Sequence, residues 1–330
     1  MKSIAKPALA LIALFTAANM VVACEPQDKK VNHQTSQTNN GVMSRPGNDN
    51  NQETNGNYAK KNLVGRVISK DGTAITFDQS GKGPVLILVA GALSDRSSNA
   101  RLAALLAPHF TVINYDRRGR GDSGDTKPYA AQREVEDIEA LIDKAGGSAF
   151  VFGSSSGAVL ALEATSKLAT KIKKQALFEP PFIVDNSRPP VPADFWTQVS
   201  KFVSSGRRGE AVELFMTKAV GVPAEFVAQM RNMPMWPGLE TLAHTLPYDG
   251  AILGDTIAGK PLPAKRWASA TAPTLVIDGA NSDGWLRHSA RSLADILPNA
   301  RHRELEGQDH SATFTAPQVF VPVLVEFFVD

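Results

Sequence analysis

The sequence predicts an α/β fold in which a mostly parallel central sheet carries helices on both faces. From residue 61 onward, segments with strand patterns alternate with amphipathic segments, and this alternation is typical of parallel sheets. The run PVLILVAG at 84–91 is continuously apolar, as expected for a strand that is buried on both faces. The 330 residues are 43% hydrophobic and 21% charged, which is the composition of an ordinary globular protein.

Eight segments have the apolar and β-branched patterns of strands. They are 63–69, 73–79, 84–91, 110–116, 149–152, 174–180, 274–279 and 301–307. The first two are predicted to pair around the turn Lys70-Asp71-Gly72. Helices are predicted at 97–107, 132–146, 285–297 and 317–328, and directly after residues 153–157.

Residues 184–271 interrupt the alternation, because they are rich in helical segments separated by prolines. We interpret this stretch as a helical insertion that forms a cap over one edge of the sheet. Large apolar side chains in it are expected to pack among the cap helices, with a few facing a substrate. They are Trp196, Phe202, Phe215, Met216, Phe226, Met230, Met233, Met235 and Trp236.

The first 23 residues have the pattern of a secretory signal peptide. Lys2 and Lys6 precede an apolar run without acidic residues, and the run is short for a membrane span. It ends in Val21-Val22-Ala23-Cys24, which resembles the lipobox of bacterial lipoproteins. The resemblance implies export, cleavage before Cys24 and lipidation of its thiol, so that the protein would be anchored to a bacterial membrane on the periplasmic side or at the cell surface. A plain secretory signal and an uncleaved anchor remain alternatives.

Residues 24–60 are predicted to be a disordered tether, because they contain few large apolar residues and many Asn, Gln, Thr, Lys and Gly. Cys24 is the only cysteine of the chain, so no internal disulfide can form. The 35 basic and 33 acidic residues nearly balance, and loss of Lys2 and Lys6 with the signal would equalise them. This balance gives no indication of a nucleic-acid partner.

Residues 149–162, AFVFGSSSGAVLAL, have the layout of a strand, a tight turn and a helix. Gly153 and Gly157 flank Ser155 at a distance of two residues, which allows the sharp turn that exposes a serine hydroxyl. Ser155 is therefore the candidate nucleophile. The Ser156 amide, which follows it, is a candidate donor to an oxyanion.

His310 is the candidate base that activates Ser155. It follows the last predicted strand in the loop GQDHSAT, and ligands of an open α/β sheet gather at the carboxyl ends of its strands. The other histidines lie in the tether, in the insertion, within a helix or at the starts of strands.

Three carboxylates are candidates for the group that orients His310. Asp283 is preferred, because it lies in the loop after strand 274–279 and gives the chain order Ser, Asp, His. Asp278 ends that strand and is a second candidate. Glu179 follows the strand after the serine helix and is the alternative acid.

A second oxyanion donor is expected in Gly91-Ala92-Leu93-Ser94, after strand 84–91, with the Ala92 amide as the candidate. Together these residues resemble the α/β-hydrolase superfamily over about residues 62–330. The segment 116–124, DRRGRGDSG, is similar to a family loop with a structural role, and Ala90-Gly91 replaces the His-Gly of many members.

The resemblance implies an α/β-hydrolase fold with a helical cap, and hydrolysis of a small-molecule ester through an acyl-enzyme on Ser155. It implies no cofactor and no metal. Serine at the turn argues against the epoxide hydrolases and haloalkane dehalogenases, which use aspartate. Acyl transfer, lyase chemistry and cofactor-free perhydrolysis on the same site are alternatives, as is a catalytically silent binding protein.

The lipobox pattern predicts that Cys24→Ser abolishes lipidation and processing before residue 24, because the modified thiol is removed. Incorporation of labelled fatty acid, followed by mass measurement of the mature N-terminus, checks this. Label in the Cys24→Ser protein, or none in the wild type, would show that the chain is not a lipoprotein.

Overall fold

The computed structural model describes residues 63–329 of the chain. The predicted signal peptide 1–23, Cys24 and the predicted tether 24–60 lie outside the described residues. The predicted α/β fold with a mostly parallel central sheet is confirmed. Within the described residues, no helix has the length and apolar character needed to cross a membrane.

All eight predicted strands are present, to within two residues at each end. They are β1 (Leu63–Ile68), β2 (Ala74–Ser80), β3 (Val85–Val89), β4 (Thr111–Tyr115), β5 (Ala149–Ser154), β6 (Ile172–Phe178), β7 (Thr274–Gly279) and β8 (Ala300–Leu305). They form one sheet in the order β1-β2-β4-β3-β5-β6-β7-β8. β2 is antiparallel to both of its neighbours, and every other pairing is parallel.

Helices cover both faces of this sheet. On one face lie α1 (Ala100–Leu106) and the C-terminal α10 (Phe320–Val329), whose apolar residues share a cluster with Leu86, Leu88 and Phe152. On the other face lie α2 (Ala131–Lys144), α3 (Ser156–Lys167) and α9 (Gly284–Ile296), whose apolar residues share a second cluster with Ile87 and Val151. Alternate residues of one strand thus enter opposite cores, which explains the continuous apolar run at 85–89.

The chain between β6 and β7 contains helices and loops only. The helices are α4 (Phe195–Ser204), α5 (Arg208–Leu214), α6 (Ala224–Met230), α7 (Trp236–Leu242) and α8 (Leu246–Leu253), with a π-helical segment at Phe215–Val220. Their apolar side chains are continuous with the core around α3, through Val199, Val212 and Leu246. This helical region covers the sheet edge at which β3, β5, β6, β7 and β8 end.

Candidate active site

Ser155 lies at the tight turn between β5 and α3. Its backbone has φ 54° and ψ −128°, a conformation that costs energy for any residue except glycine. A Cβ atom at Gly153 would lie 2.7 Å from the Ala158 Cα, and one at Gly157 would lie 2.6 Å from the Ala90 carbonyl oxygen. Only glycine therefore fits on either side of Ser155.

His310 lies beside this turn. Its Nε2 atom is 3.2 Å from the Ser155 Oγ atom, which is hydrogen-bonding range for an apo site. The imidazole ring stacks near Phe178, with 6.2 Å between the ring centroids, and its side chain is 32% exposed. With the proton on Nδ1, Nε2 accepts a hydrogen bond from the Ser155 hydroxyl.

Glu179 supplies the carboxylate that faces His310. Its Oε2 atom lies 2.6 Å from His310 Nδ1, and its Oε1 atom accepts a hydrogen bond of 2.8 Å from the Gly279 amide. The Glu179 side chain is fully buried, and both of its oxygens have partners, as a buried carboxylate requires. The geometry thus favours the alternative acid over the preferred one.

Asp283, the preferred candidate, is not the partner of His310. After β7 the chain turns against the loop that carries His310, through hydrogen bonds from the Asn281 amide to the Gln308 carbonyl and from the Ser282 amide to the Gly279 carbonyl. Asp283 consequently becomes the N-cap residue of α9, exposed and on the wall of the cavity.

Asp278 also lies elsewhere. Its Oδ1 atom is 3.1 Å from the Nε2 atom of His302, on β8, and burial raises its pKa even though the nearby His302 favours the charged form. Of the three candidate carboxylates, only Glu179 is hydrogen-bonded to His310.

The two predicted oxyanion donors, Ala92 and Ser156, both line the cavity at Ser155. A Cβ atom on the preceding Gly91 would lie 3.2 Å from the Ser155 Cβ, so the loop after β3 passes close to the serine. Ser156 is the first residue of α3, and the first amides of a helix have no intrahelical acceptor. Among the backbone hydrogen bonds of residues 63–329, neither amide is a donor.

The segment 116–124 buries Arg117, Arg118 and Arg120 almost completely. Arg118 pairs with Asp71 and Asp137, which fits the structural role implied by the resemblance. Arg117 and Arg120 instead extend towards the active site, where both contact Asp249 of α8. No sequence pattern singles out Asp249; the only signal for it is that a buried arginine cluster needs carboxylate partners.

A cavity of about 440 Å³ lies over Ser155 and His310. Its walls are mainly apolar, and the larger apolar residues come from the loop after β6, from the helical region and the loop that follows it, and from helix α9. They are Ile183, Val191, Trp196, Phe215, Ala219, Val220, Leu253, Ile257, Trp285 and Leu286. This volume suits a small or medium-sized organic ligand.

Most of the large apolar residues predicted in the cap do not reach the cavity. Trp196 and Phe215 line it. The other seven pack among helices, as core residues or against the core: Phe202, Met216, Phe226, Met230, Met233, Met235 and Trp236. The remaining apolar lining comes from residues outside that set, including Trp285.

Within residues 63–329, no group of three or more His, Cys, Asp or Glu side chains is placed to hold a metal ion. The side chains that converge on the cavity floor are a serine, an imidazole and a buried carboxylate. Such a set can activate a hydroxyl group for attack on an acyl carbon.

Comparison with known proteins agrees with this geometry. The profile of the Alpha/beta hydrolase family matches residues 86–323. BpoC of Mycobacterium tuberculosis, whose name assigns it to the non-heme bromoperoxidases, is 25% identical over 272 residues, which span 78% of this chain and 98% of BpoC.

Solved structures extend the comparison. An alpha/beta hydrolase from Sphaerobacter thermophilus has 57% sequence identity and a TM-score of 0.74, covering 80% of this chain and 100% of that chain. A thermophilic esterase from Thermogutta terrifontis has 18% identity and a TM-score of 0.59, covering 81% and 98%. At that identity the likeness concerns the fold alone.

The His310 contacts predict that Glu179→Gln lowers kcat/KM by about 10²–10⁴-fold, because the imidazole loses the charge that orients it and stabilises its protonated form. The amide oxygen of Gln can still accept from Gly279, so the fold should persist. Asp283→Asn is the matched control and should change kcat/KM by less than about threefold. The rates of both variants on one ester at one pH, with a thermal unfolding curve for each, rank the two carboxylates. A larger loss of kcat/KM in Asp283→Asn than in Glu179→Gln would show that Asp283 is the acid.

Proposed function

Since the chain belongs to the α/β hydrolase family, we propose that it is a serine hydrolase that cleaves carboxylic esters through an acyl-enzyme on Ser155. The observation that carries this proposal is the chain of contacts from Ser155 Oγ to His310 Nε2 and from His310 Nδ1 to Glu179, at 3.2 and 2.6 Å. This sequence of nucleophile, base and orienting carboxylate recurs in acyl-transfer enzymes of unrelated folds.

In the first half of the reaction, the Ser155 Oγ atom attacks the ester carbonyl while His310 Nε2 takes its proton. Glu179 stabilises the imidazolium that results. The negative charge that develops on the carbonyl oxygen is held by the amides of Ser156 and Ala92. One oxyanion donor contributes about 10²–10³-fold to the rate. Collapse of the intermediate transfers the proton from His310 to the leaving alcohol and forms the acyl-enzyme.

In the second half, water enters where the alcohol left. His310 Nε2 takes a proton from this water, which attacks the acyl carbon through the same oxyanion contacts. The proton then returns to Ser155 Oγ as the carboxylic acid leaves. His310 carries every proton, so the proposed reaction needs only the ester, one water molecule and these side chains.

The cavity walls favour an uncharged substrate with an apolar acyl group. Among the lining residues, all within 63–329, none is Lys or Arg, whereas three are acidic: Asp249, Asp283 and Asp309. Arg188 lies nearby but is not a lining residue; its Nη1 and Nη2 atoms donate to the Ala219 and Lys218 carbonyls, and its guanidinium group stacks on Trp285. A substrate carboxylate would be desolvated here without a partner.

Perhydrolysis is a second candidate, and the similarity to BpoC favours it. The acyl-enzyme on Ser155 would then be attacked by hydrogen peroxide in place of water, giving a peracid and free Ser155. Product analysis with and without added peroxide distinguishes the two reactions, since a hydrolase continues to release the carboxylic acid.

Ser155→Ala is expected to abolish labelling by a fluorophosphonate probe and to lower ester turnover by at least about 10⁴-fold, because the attacking oxygen is lost. Its melting temperature should stay close to that of the wild type. Ser154→Ala, which alters the neighbouring serine at the end of β5, is the matched control and should still label. Labelling of Ser155→Ala, or absence of labelling and turnover in the wild type, would refute a serine hydrolase acting through Ser155.

The cavity charges predict that a butyrate ester is hydrolysed with a kcat/KM about 100-fold higher than the succinate half-ester of the same alcohol, because the second carboxylate finds no cation in the cavity. Initial rates over a range of substrate concentrations give both constants. Asp283→Asn should reduce the difference in kcat/KM between the two esters, because it removes one negative charge that repels the succinate carboxylate. Equal rates on both esters in the wild type would show that the cavity accepts anions.

A further inference from the structure

Asp249, on helix α8, has a buried carboxylate that joins the helical region to the turn at Ser155 between β5 and α3, here called the catalytic turn. Its Oδ1 atom accepts hydrogen bonds from the Ser156 hydroxyl at 2.8 Å and from Arg117 Nη1 at 2.9 Å, and its Oδ2 atom accepts from Arg120 Nη2 at 2.8 Å. The Asp249 side chain has no exposed surface. One carboxylate therefore contacts the residue next to Ser155 and two arginines from the loop after β4.

The same two arginines hold the backbone on the amino side of Ala92. Arg117 Nη1 donates to the Ala90 carbonyl at 3.2 Å, and Arg120 Nη1 donates to the Gly91 carbonyl. The Gly91 carbonyl and the Ala92 amide belong to one planar peptide group and point in opposite directions. Fixing that carbonyl fixes the direction of the Ala92 N–H, and a cation on the carbonyl polarises the peptide so that its N–H becomes a stronger donor.

Asp249 thus reaches both oxyanion donors by different routes. It holds the Ser156 side chain directly, and it holds the Ala92 peptide through Arg120. Rate acceleration by an oxyanion hole depends on donors that are already oriented before the charge develops. A change at Asp249 would therefore disturb both donors together, although Asp249 itself need not contact the reacting atoms.

The charges around Asp249 are balanced. A lone carboxylate this close to an oxyanion would repel it, but neighbouring arginines offset the negative charge of Asp249. Arg117 pairs with Glu134 through two hydrogen bonds of 2.7 and 2.8 Å, so two buried arginines face two buried carboxylates. Burial alone would raise the pKa of Asp249, but the guanidinium groups of Arg120 and Arg117 outweigh it and hold the pKa below its ordinary value. Asp249 is consequently ionised at neutral pH while the cluster stays neutral overall.

We propose that Asp249 is a positioning residue for the oxyanion hole, so that full activity requires helix α8 to be docked on the catalytic turn. This inference rests on the proposed function, because an oxyanion forms only if Ser155 attacks an acyl group. It assigns to the helical region a part in the catalytic step, in addition to lining the cavity.

The test compares Asp249→Asn with Tyr248→Phe, its neighbour on the same helix. Asn places an NH₂ group where one carboxylate oxygen accepted hydrogen bonds. This donor then faces a donor of an arginine or of Ser156, so at least one hydrogen bond is lost. The Tyr248 hydroxyl contacts Asp125 at 2.8 and 2.9 Å, and its ring stacks on Tyr129 at 3.9 Å. Phe keeps the ring and loses only this other polar contact of helix α8.

We expect Asp249→Asn to lower kcat by about 10- to 100-fold with KM changed by less than about threefold, since the donors act in the transition state. The inhibition constant of a trifluoromethyl ketone, which forms an oxyanion on Ser155, should rise by the same factor as kcat/KM falls. The matching methylene ether has no ketone carbonyl and forms no oxyanion, so it is the control, and its inhibition constant should not change. Tyr248→Phe should leave kcat within about twofold.

Ser156→Ala keeps the proposal testable if Asp249→Asn does not fold. It removes only the hydrogen bond to Asp249 Oδ1 and keeps both ion pairs and the Ser156 amide, and it should lower kcat by about 3- to 10-fold with the same parallel loss of ketone binding. All rates are divided by the concentration of sites that react with a fluorophosphonate, so a misfolded fraction does not count as slow catalysis.

Two results would overturn the inference and are distinguishable from each other. In the first, the wild type is active, and Asp249→Asn and Ser156→Ala either keep its kcat or are slower but bind the ketone normally. Asp249 would then be a structural residue, and the proposed function would stand. A wild type that neither labels nor hydrolyses esters would overturn the proposed function, and this inference with it.

Discussion

The close approach of the amino end of α3 to the carboxyl end of β3 determines the arrangement of the whole site. At Gly157 the helix backbone lies so near the Ala90 carbonyl that a Cβ atom would stand 2.6 Å from it. Because β3 and β5 are neighbours in the sheet, this contact brings the loop after β3 next to Ser155. The candidate nucleophile and both candidate oxyanion amides, those of Ala92 and Ser156, are thus placed by backbone packing that only glycine permits.

The parts of the protein that the sequence predicted well are those with local signals. The strand patterns predicted the sheet to within two residues. The strands from β2 to β7 are largely buried and their apolar periodicity reflects that burial, whereas the edge strands β1 and β8 are mostly exposed. The turn at Ser155 has its own glycine spacing. His310 could be identified because it follows the last strand, at the edge where parallel strands end.

The acid and Asp249 lacked such signals. Glu179 and Asp283 each follow a strand beside the site, and the choice between them depends on how the chain leaves β7. Backbone hydrogen bonds of Asn281 and Ser282 hold the chain against the loop that carries His310 and leave Asp283 at the start of α9. No residue type near them predicts that turn. The Asp249 side chain is defined by contacts with residues more than 90 positions earlier in the chain, which a local pattern cannot show.

The buried arginines show why the helical region and the catalytic turn form one unit. A buried guanidinium group is stable only with carboxylate or carbonyl partners. Arg118 finds two carboxylates beside the sheet, Asp71 and Asp137, and needs nothing from the helical region. Arg120, in contrast, has Asp249 as its only carboxylate partner among the described residues; its other partners are carbonyl oxygens of the loop after β3. Displacing helix α8 would leave the Arg120 charge without a carboxylate partner beside the loop after β3. The packing of the helical region and the order of the candidate active site therefore depend on the same ion pair.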